Sequence, residues 1–579
     1  MMRPMRAHAL LSVLFVFSRV ALALLGLRFS FSLDWMWLSD PGDLRERLIE
    51  TLFYFHAFPP GMNAVTGVLL QIGGLNAAVL AQTLFLGLGL VFVNALFYLA
   101  RAAGLSTRIA LGLALAFSLA PSSIYFEHLY LYEMPVAALV SVTAVLFYTA
   151  VHRPSFGLWF GFFAVSAAIA CTRSSFHLAW FVAMVGLGGW LTGRGSRRVL
   201  VAAALVPAAL VVSLYGKNLL LFGEFAASTF GPASYTLVTV AHLPADVRDA
   251  WIRERRLSPF AATSVYAPPR EYARYFATPE HDQWPHQLTR LEHRDVPAAN
   301  FNHWWLLDVH RARRADVLYY LRARPLDYMS NVAAGVRDMF EASTTWHPRD
   351  GTSASPHYQH RQVLGGYEAW FNRLLHSVPI APVGLYVFLP LVLVWALAHA
   401  RALLRDGDHA SRARGALLIF CVLQIVYVVA ASTMLTFLES ARYRFQVEAL
   451  IWLLTAACIS SLSRRAMVRG GHQDRSGSSQ RRPLKRAKSV SLDIRTASWV
   501  RGECREVCIR REVSRSASDA EQGVKVLPTG VTPLWITNEP EICRCLAIHI
   551  VGRRQAKPHP IGVVIAISAG RHIIEDRRR

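Results

Sequence analysis

The sequence predicts an all-α polytopic membrane protein of about ten transmembrane helices, with interfacial helices and a partly helical extracytoplasmic loop domain. Three observations carry this. Hydrophobic residues make up 53% of the 579 residues and charged ones 17%, against roughly 25% charged in an ordinary soluble protein. Mean hydropathy is +0.30. Long apolar stretches alternate with short Arg-bearing ones, the pattern of a chain that crosses a bilayer repeatedly. A soluble enzyme, a disordered scaffold and a secreted disulfide framework are excluded as whole-chain readings. The net charge of +23 is uneven, because from Arg464 onward 24 Lys and Arg face 11 Asp and Glu. Five of the 61 basic residues are Lys, a bias that fits a GC-rich genome better than phosphate binding, so no nucleic-acid partner is expected.

Taken in order, the first apolar run, 9–27, follows Arg3 and Arg6 and lacks a small-residue cleavage site, so it reads as a retained span. Further spans are expected at 78–99, 109–125, 133–151, 156–172, 176–192, 199–216, 380–400, 415–436 and 445–463, each near the ~20 residues a bilayer needs. The stretch 61–75 follows Pro59-Pro60 and contains Asn63 and Gln71, so it is expected to lie half-embedded at the interface. With the N-terminus inside, the short inner loops carry Arg101 and Arg108, then His152 and Arg153, then Arg194, Arg197 and Arg198, then Arg401, Arg405, Arg412 and Arg414. This is the positive-inside pattern.

Four regions follow: an N-terminal transmembrane core with the first outer loop (1–216), an extracytoplasmic loop domain (217–379), C-terminal transmembrane helices (380–463), and a basic cytoplasmic tail (464–579). The tail begins Ser/Arg/Gly-rich and shows no sustained period, which reads as disorder. Cys171, Cys421 and Cys458 fall in apolar stretches and are expected to pack as small hydrophobes. Cys504-x3-Cys508 and Cys543-x-Cys545 have zinc-like spacing, yet no His follows at zinc-finger distance. The loop domain contains no Cys.

The spans are nearly free of acids, Glu133 and Glu448 being near outer ends. An ion-coupled transporter would place acids or His at mid-membrane. Polar groups gather at the outer rim instead: Asp34, Asp40, Asp43 and His56, then Glu127, His128 and Glu133, then Arg173 and Lys217, then Glu439, Arg442, Arg444 and Glu448. Any one of these could simply anchor a helix or cap a turn. Asp40 before Pro41-Gly42 and Asp43 before a helical stretch suit turn formation and N-capping.

Asp34 after the first span, followed by His56-x-x-Pro59-Pro60 opening an amphipathic helix, resembles the first outer loop of the glycosyltransferase C superfamily. Its members include protein O-mannosyltransferases, the lipid A aminoarabinose transferase and bacterial polyprenyl-phosphate-sugar transferases. Tyr125-Phe126-Glu127, Arg173-Ser174-Ser175-Phe176-His177, Lys217-Asn218 with Phe222-Gly223, and Glu439-x-x-Arg442-Tyr443-Arg444 add to the similarity, which covers about residues 7–463. The sequence departs from the pattern in placing two residues between His56 and Pro59, Gly61 for Leu, and Trp35 after Asp34.

The resemblance implies an integral-membrane glycosyltransferase that moves a sugar from a polyprenyl-phosphate donor to an extracytoplasmic acceptor with inversion. A lipid phosphate leaves readily, so one carboxylate base is enough, unlike the acid and base pair of a glycosidase. Asp34 is the expected base, with a capping or solvated Asp as its plain alternative. His56, Glu127, His128, Arg173, Lys217, Arg442 and Arg444 are the expected substrate contacts. Arg442 and Arg444 lead for the phosphate, since Arg offers it a planar fork. Glu127 either positions the sugar, shares a divalent metal ion with His128, or is a solvated loop acid. The implied partners are the lipid-linked sugar, the bilayer and an acceptor of undefined glycan, lipid or protein nature. The rival readings are a lipid-sugar flippase or transporter, and a non-catalytic member of the same fold.

Overall fold

The computed structural model describes residues 4–192, 196–276, 284–341, 344, 362–371, 388–406, 408–436, 439–477, 547–550 and 565–568. Arg194, Cys504, Cys508, Cys543 and Cys545 lie outside them. The chain divides into two units, Met1–Gln480 and Arg481–Arg579.

In the first unit, α1 (Pro4–Leu24) is a single apolar helix. The first outer loop then folds into two short helices, α2 (Pro41–Glu46) and α3 (Leu48–Tyr54). Asp40 caps α2 as its position before Pro41 predicts, its carboxylate accepting from the N–H of Gly42 at 2.9 Å and of Asp43 at 3.3 Å. Pro59-Pro60 stop the chain and α4 (Gly61–Gly73) begins, burying Met62, Asn63, Thr66, Gly67 and Leu70 on one face. Asn63 fastens the loop to that face: it accepts from Ser39 N at 2.7 Å and donates to Trp37 O at 2.9 Å. Gly61 is small of necessity, since a Cβ there would meet Cys171 O at 2.7 Å. A 3-10 turn at Gly74–Asn76 redirects the chain into α5 (Ala77–Ala102).

The span expected at 109–125 is broken. Helices α6 (Thr107–Ser118) and α7 (Pro121–Glu127) meet at 56°, because Pro121 has no N–H to continue the ladder and starts a new helix at its first position. The remaining membrane helices are α8 (Glu133–His152), α9 (Phe156–Thr172), α10 (Leu178–Leu191) and α11 (Arg197–Phe222). By length and apolarity six described helical segments can cross a membrane, or seven with the bent pair as one. Among the described residues, these criteria do not confirm the expected ten. Helices α9 and α10 are apolar but short, at 17 and 14 residues.

The loop domain contains α12 (Gly231–Val238), α13 (Ala245–Arg253), α14 (His286–Thr289), α15 (Trp305–Ala323) and α16 (Pro325–Asp338). Its core joins Phe230, Ala233, Val265, Ala267, Tyr272, Phe301 and Leu306, which holds it together without a disulfide. A helix at 362–371 (α17) follows, then α18 (Leu389–Arg405), α19 (His409–Leu435) and α20 (Ser440–Gly477). The loop domain is latched to α19: a Cβ on Gly335 would lie 3.5 Å from Thr433 O, and Tyr328 OH donates to Met434 O at 3.1 Å.

Within the second unit, Ala547–Ile550 and Ile565–Ser568 pair as antiparallel strands. The described residues are otherwise almost entirely helical, in keeping with the all-α expectation, and in this short pair Ile548, Ile550, Ile565 and Ile567 alternate with other residues, the period of a strand.

Candidate functional site

The elements around the first outer loop build a cleft of about 60 Å³ between the membrane helices and the loop domain. Arg173 reaches it from the end of α9, Tyr132 from the start of α8, and Glu439, Arg442 and Tyr443 from the start of α20. Met36 and Trp37 form one wall, and Phe230, Ser234 and Tyr266 of the loop domain another. Residues far apart in sequence meet here because Ser30 is bridged to the α7–α8 connection. Its N–H donates to His128 O at 2.8 Å, and its C=O accepts from Tyr130 N at 3.0 Å.

Charge in the cleft is closely balanced. Arg442 Nε lies 2.9 Å from Glu133 Oε1, and its Nη2 donates to Glu439 Oε2 at 3.1 Å and to Tyr132 OH at 3.0 Å. The Arg173 guanidinium lies between two rings, 3.7 Å above Tyr132 and 4.2 Å from Tyr443. Its nearest carboxylate is Glu133, at 3.6 Å. Arg173 is 3% exposed, and its Nε and Nη2 have no hydrogen-bond partner among the described residues. A buried guanidinium with unfilled donors costs stability, and an anion entering the cleft would satisfy it. Tyr266 is pushed above the ordinary phenol range, first by burial and then by Glu439, so it faces the cleft as a neutral hydroxyl.

An apolar groove of about 530 Å³ continues from this cleft, sharing Ser174, Ser234, Thr436 and Tyr443 with it. A charged pocket joined to a largely apolar groove suits an amphiphile with an anionic head.

The structure brings Arg173 and Arg442 together in one cleft. It places the other expected residues elsewhere. Asp34 is half-buried, accepts from Ser32 Oγ, and lies two residues before Met36 of the cleft wall. His56 is fully buried between the first outer loop and the loop domain. Its Nε2 meets Asn302 O at 3.1 Å and its Nδ1 meets Thr229 Oγ1 at 2.8 Å. A carbonyl only accepts, so Nε2 carries the hydrogen and Nδ1 accepts from the hydroxyl. Burial, with Lys217 nearby, drops its pKa to about 3, leaving a neutral fastener with both nitrogens committed.

Glu127 is held by Arg19, a residue inside the first span and not among the expected site residues. Arg19 Nε and Nη2 donate to its two oxygens at 2.8 and 2.7 Å. Arg19 also donates to Ser118 O at 3.0 Å and Ser118 Oγ at 3.2 Å, so one guanidinium holds both arms of the bent pair. An Arg in an otherwise apolar span, with an acid at the end of another, was the available signal. His128 Nδ1 donates to Ile124 O at 2.8 Å. Among the described residues no group of three or more His, Cys, Asp or Glu could hold a metal ion, and Glu127 and His128 bring no third ligand. Lys217 Nζ donates to Phe55 O beside a separate apolar groove. Arg444 turns away from the cleft, donating to Met339 O and to Glu341 O at 2.7 Å at the end of α16.

Fold and cleft together define a multi-pass helical membrane protein with a polar site where the apolar helices meet the loop domain. No family model matches the sequence, and no curated protein matches it. Among solved structures, ArnT from Cupriavidus metallidurans in the apo state, an aminoarabinose transferase of the glycosyltransferase C superfamily, aligns over 77% of this chain and 77% of its own at 16% identity and TM-score 0.27. ArnT bound to undecaprenyl phosphate aligns over 78% of each chain at 15% identity and TM-score 0.30. A superposition this loose transfers no residue role between the chains.

Proposed function

We propose that this protein is a glycosyltransferase that takes a sugar from a polyprenyl-phosphate donor and passes it to an acceptor on the loop-domain side of the membrane. The observation that carries the reading is Arg173, buried with two guanidinium nitrogens unfilled, beside Arg442 and at the mouth of the apolar groove. The donor phosphate would take the two arginines, and the polyprenyl chain the groove. As the bond from the anomeric carbon to phosphate oxygen breaks, its electron pair goes to the phosphate, where the guanidinium donors stabilise the added charge. The acceptor hydroxyl forms the new bond from the opposite face, which inverts the centre, and gives its proton to a carboxylate. Asp34 is the base on this reading, carried by the segment that runs directly into Met36 and Trp37. His56 and Arg444 then act through the fold, by fixing the loop domain over the cleft.

Purified protein incubated with radiolabelled polyprenyl-phosphate sugars should release free polyprenyl phosphate when acceptor extract is added. A flippase would move the donor without cleaving it, and a non-catalytic member would bind without release. Either result would overturn the proposal.

A further inference from the structure

Glu439 is the carboxylate that the cleft exposes. Its side chain is 19% exposed, lines the cleft, and contacts Arg442 Nη2 at 3.1 Å. Glu133, by contrast, is fully buried and does not line the cleft. While Glu439 stays in place, its carboxylate occupies Arg442 and repels an entering anion. When Glu439 swings away, the cleft gains one unit of positive charge, equal and opposite to the charge of a phosphodiester.

Building on the glycosyltransferase reading, we propose that Glu439 is an intramolecular competitor for the donor phosphate, holding Arg442 until a phosphodiester displaces it. The short i,i+3 geometry suits the role: Glu439 immediately precedes α20 and Arg442 lies in its first turn, so the exchange needs a side-chain rotation and no helix movement. Arg442 keeps Glu133 and Tyr132 as partners throughout and stays oriented. After transfer Glu439 competes with the lipid monophosphate for Arg442 in the same way, and so limits product inhibition.

The test is equilibrium binding of undecaprenyl phosphate to the full-length protein in detergent, with the uncharged alcohol undecaprenol as control. Glu439→Gln removes the competing charge and keeps the shape. It should tighten undecaprenyl phosphate about tenfold, as expected for relief of a like-charge contact at a desolvated site, and leave undecaprenol unchanged. Product inhibition should rise in parallel, and in an Arg442→Ala background the substitution should have no further effect. Unchanged or weaker phosphate binding by Glu439→Gln, with wild type binding normally, overturns the proposal. Glu439→Ser serves if the first variant fails to accumulate, with the same expected sign. If wild type itself prefers undecaprenol or binds neither, the glycosyltransferase reading falls first and this inference with it.

Discussion

Replacing Glu127 with Ala would leave Arg19 charged and buried in the helical bundle. The pair is bidentate, at 2.8 and 2.7 Å, with side-chain exposures of 5% and 1%. Breaking one side of such a pair costs about 3–5 kcal/mol, because the surviving ion has lost its compensation. Arg19 keeps Ser118 O, Ser118 Oγ and Ser18 Oγ as acceptors, so the lower figure of about 3 kcal/mol is expected here. Replacing both partners, Arg19→Met with Glu127→Leu, removes both desolvation costs and should return most of that loss. Gly89→Ala tests the same packing from α5, since its Cβ would lie 2.6 Å from Glu127 Oε2, which Arg19 prevents from moving aside. The assay is equilibrium unfolding in mixed micelles for wild type, both single variants and the double, closing a double-mutant cycle. Additive single effects, or a Glu127→Ala variant as stable as wild type, would refute the clamp. A Glu127→Ala protein of normal stability that had lost transfer would instead make Glu127 a substrate residue.

Asp34→Asn keeps shape but removes the proton acceptor, so turnover should fall by roughly 10²–10⁴-fold with donor binding little changed; normal turnover would remove Asp34 as base. Acid should undock the loop domain through His56: its folded pKa of about 3 lies below the ordinary 6.5, so the unfolded chain binds the proton first. Stability is then full above 6.5 and falls as pH drops toward 3, by about 1.4 kcal/mol per unit for one such group. Limited proteolysis between pH 7 and 4 should show this, and His56→Asn should flatten it. Asp40 adds to the same acid loss. Burial pushes its carboxyl up, yet the N–H groups of Asp295, Arg294, Asp43 and Gly42 outweigh this and hold it below the usual carboxylate range. Its contribution is present above its unfolded value of 3.8 and is lost as pH falls through the lower folded one. Truncation after Gly477 should leave insertion and transfer intact, since the cleft belongs wholly to the first unit; loss of transfer in a truncated protein that still inserts would assign the tail a role.

The sequence by itself determined the membrane class and the places of most long apolar helices, though not the break at Pro121. Apolar length and the distribution of Arg are local properties, imposed by the bilayer on each segment separately. It also determined the Asp40 cap and the turn at Pro59-Pro60, which depend on neighbouring residues alone. Tertiary structure decided which charges meet. Arg173 and Arg442 are 269 positions apart, and only the packing of α8, α9 and α20 sets both beside Glu133. Arg444, two residues from Arg442, faces α16 instead, because successive helical positions turn by about 100° and cannot share a face. Arg19 was hidden for the same reason: an ionisable residue in an apolar run declares that it needs a partner, but which partner depends on the bend at Pro121 that brings Ser118 and Glu127 to one guanidinium.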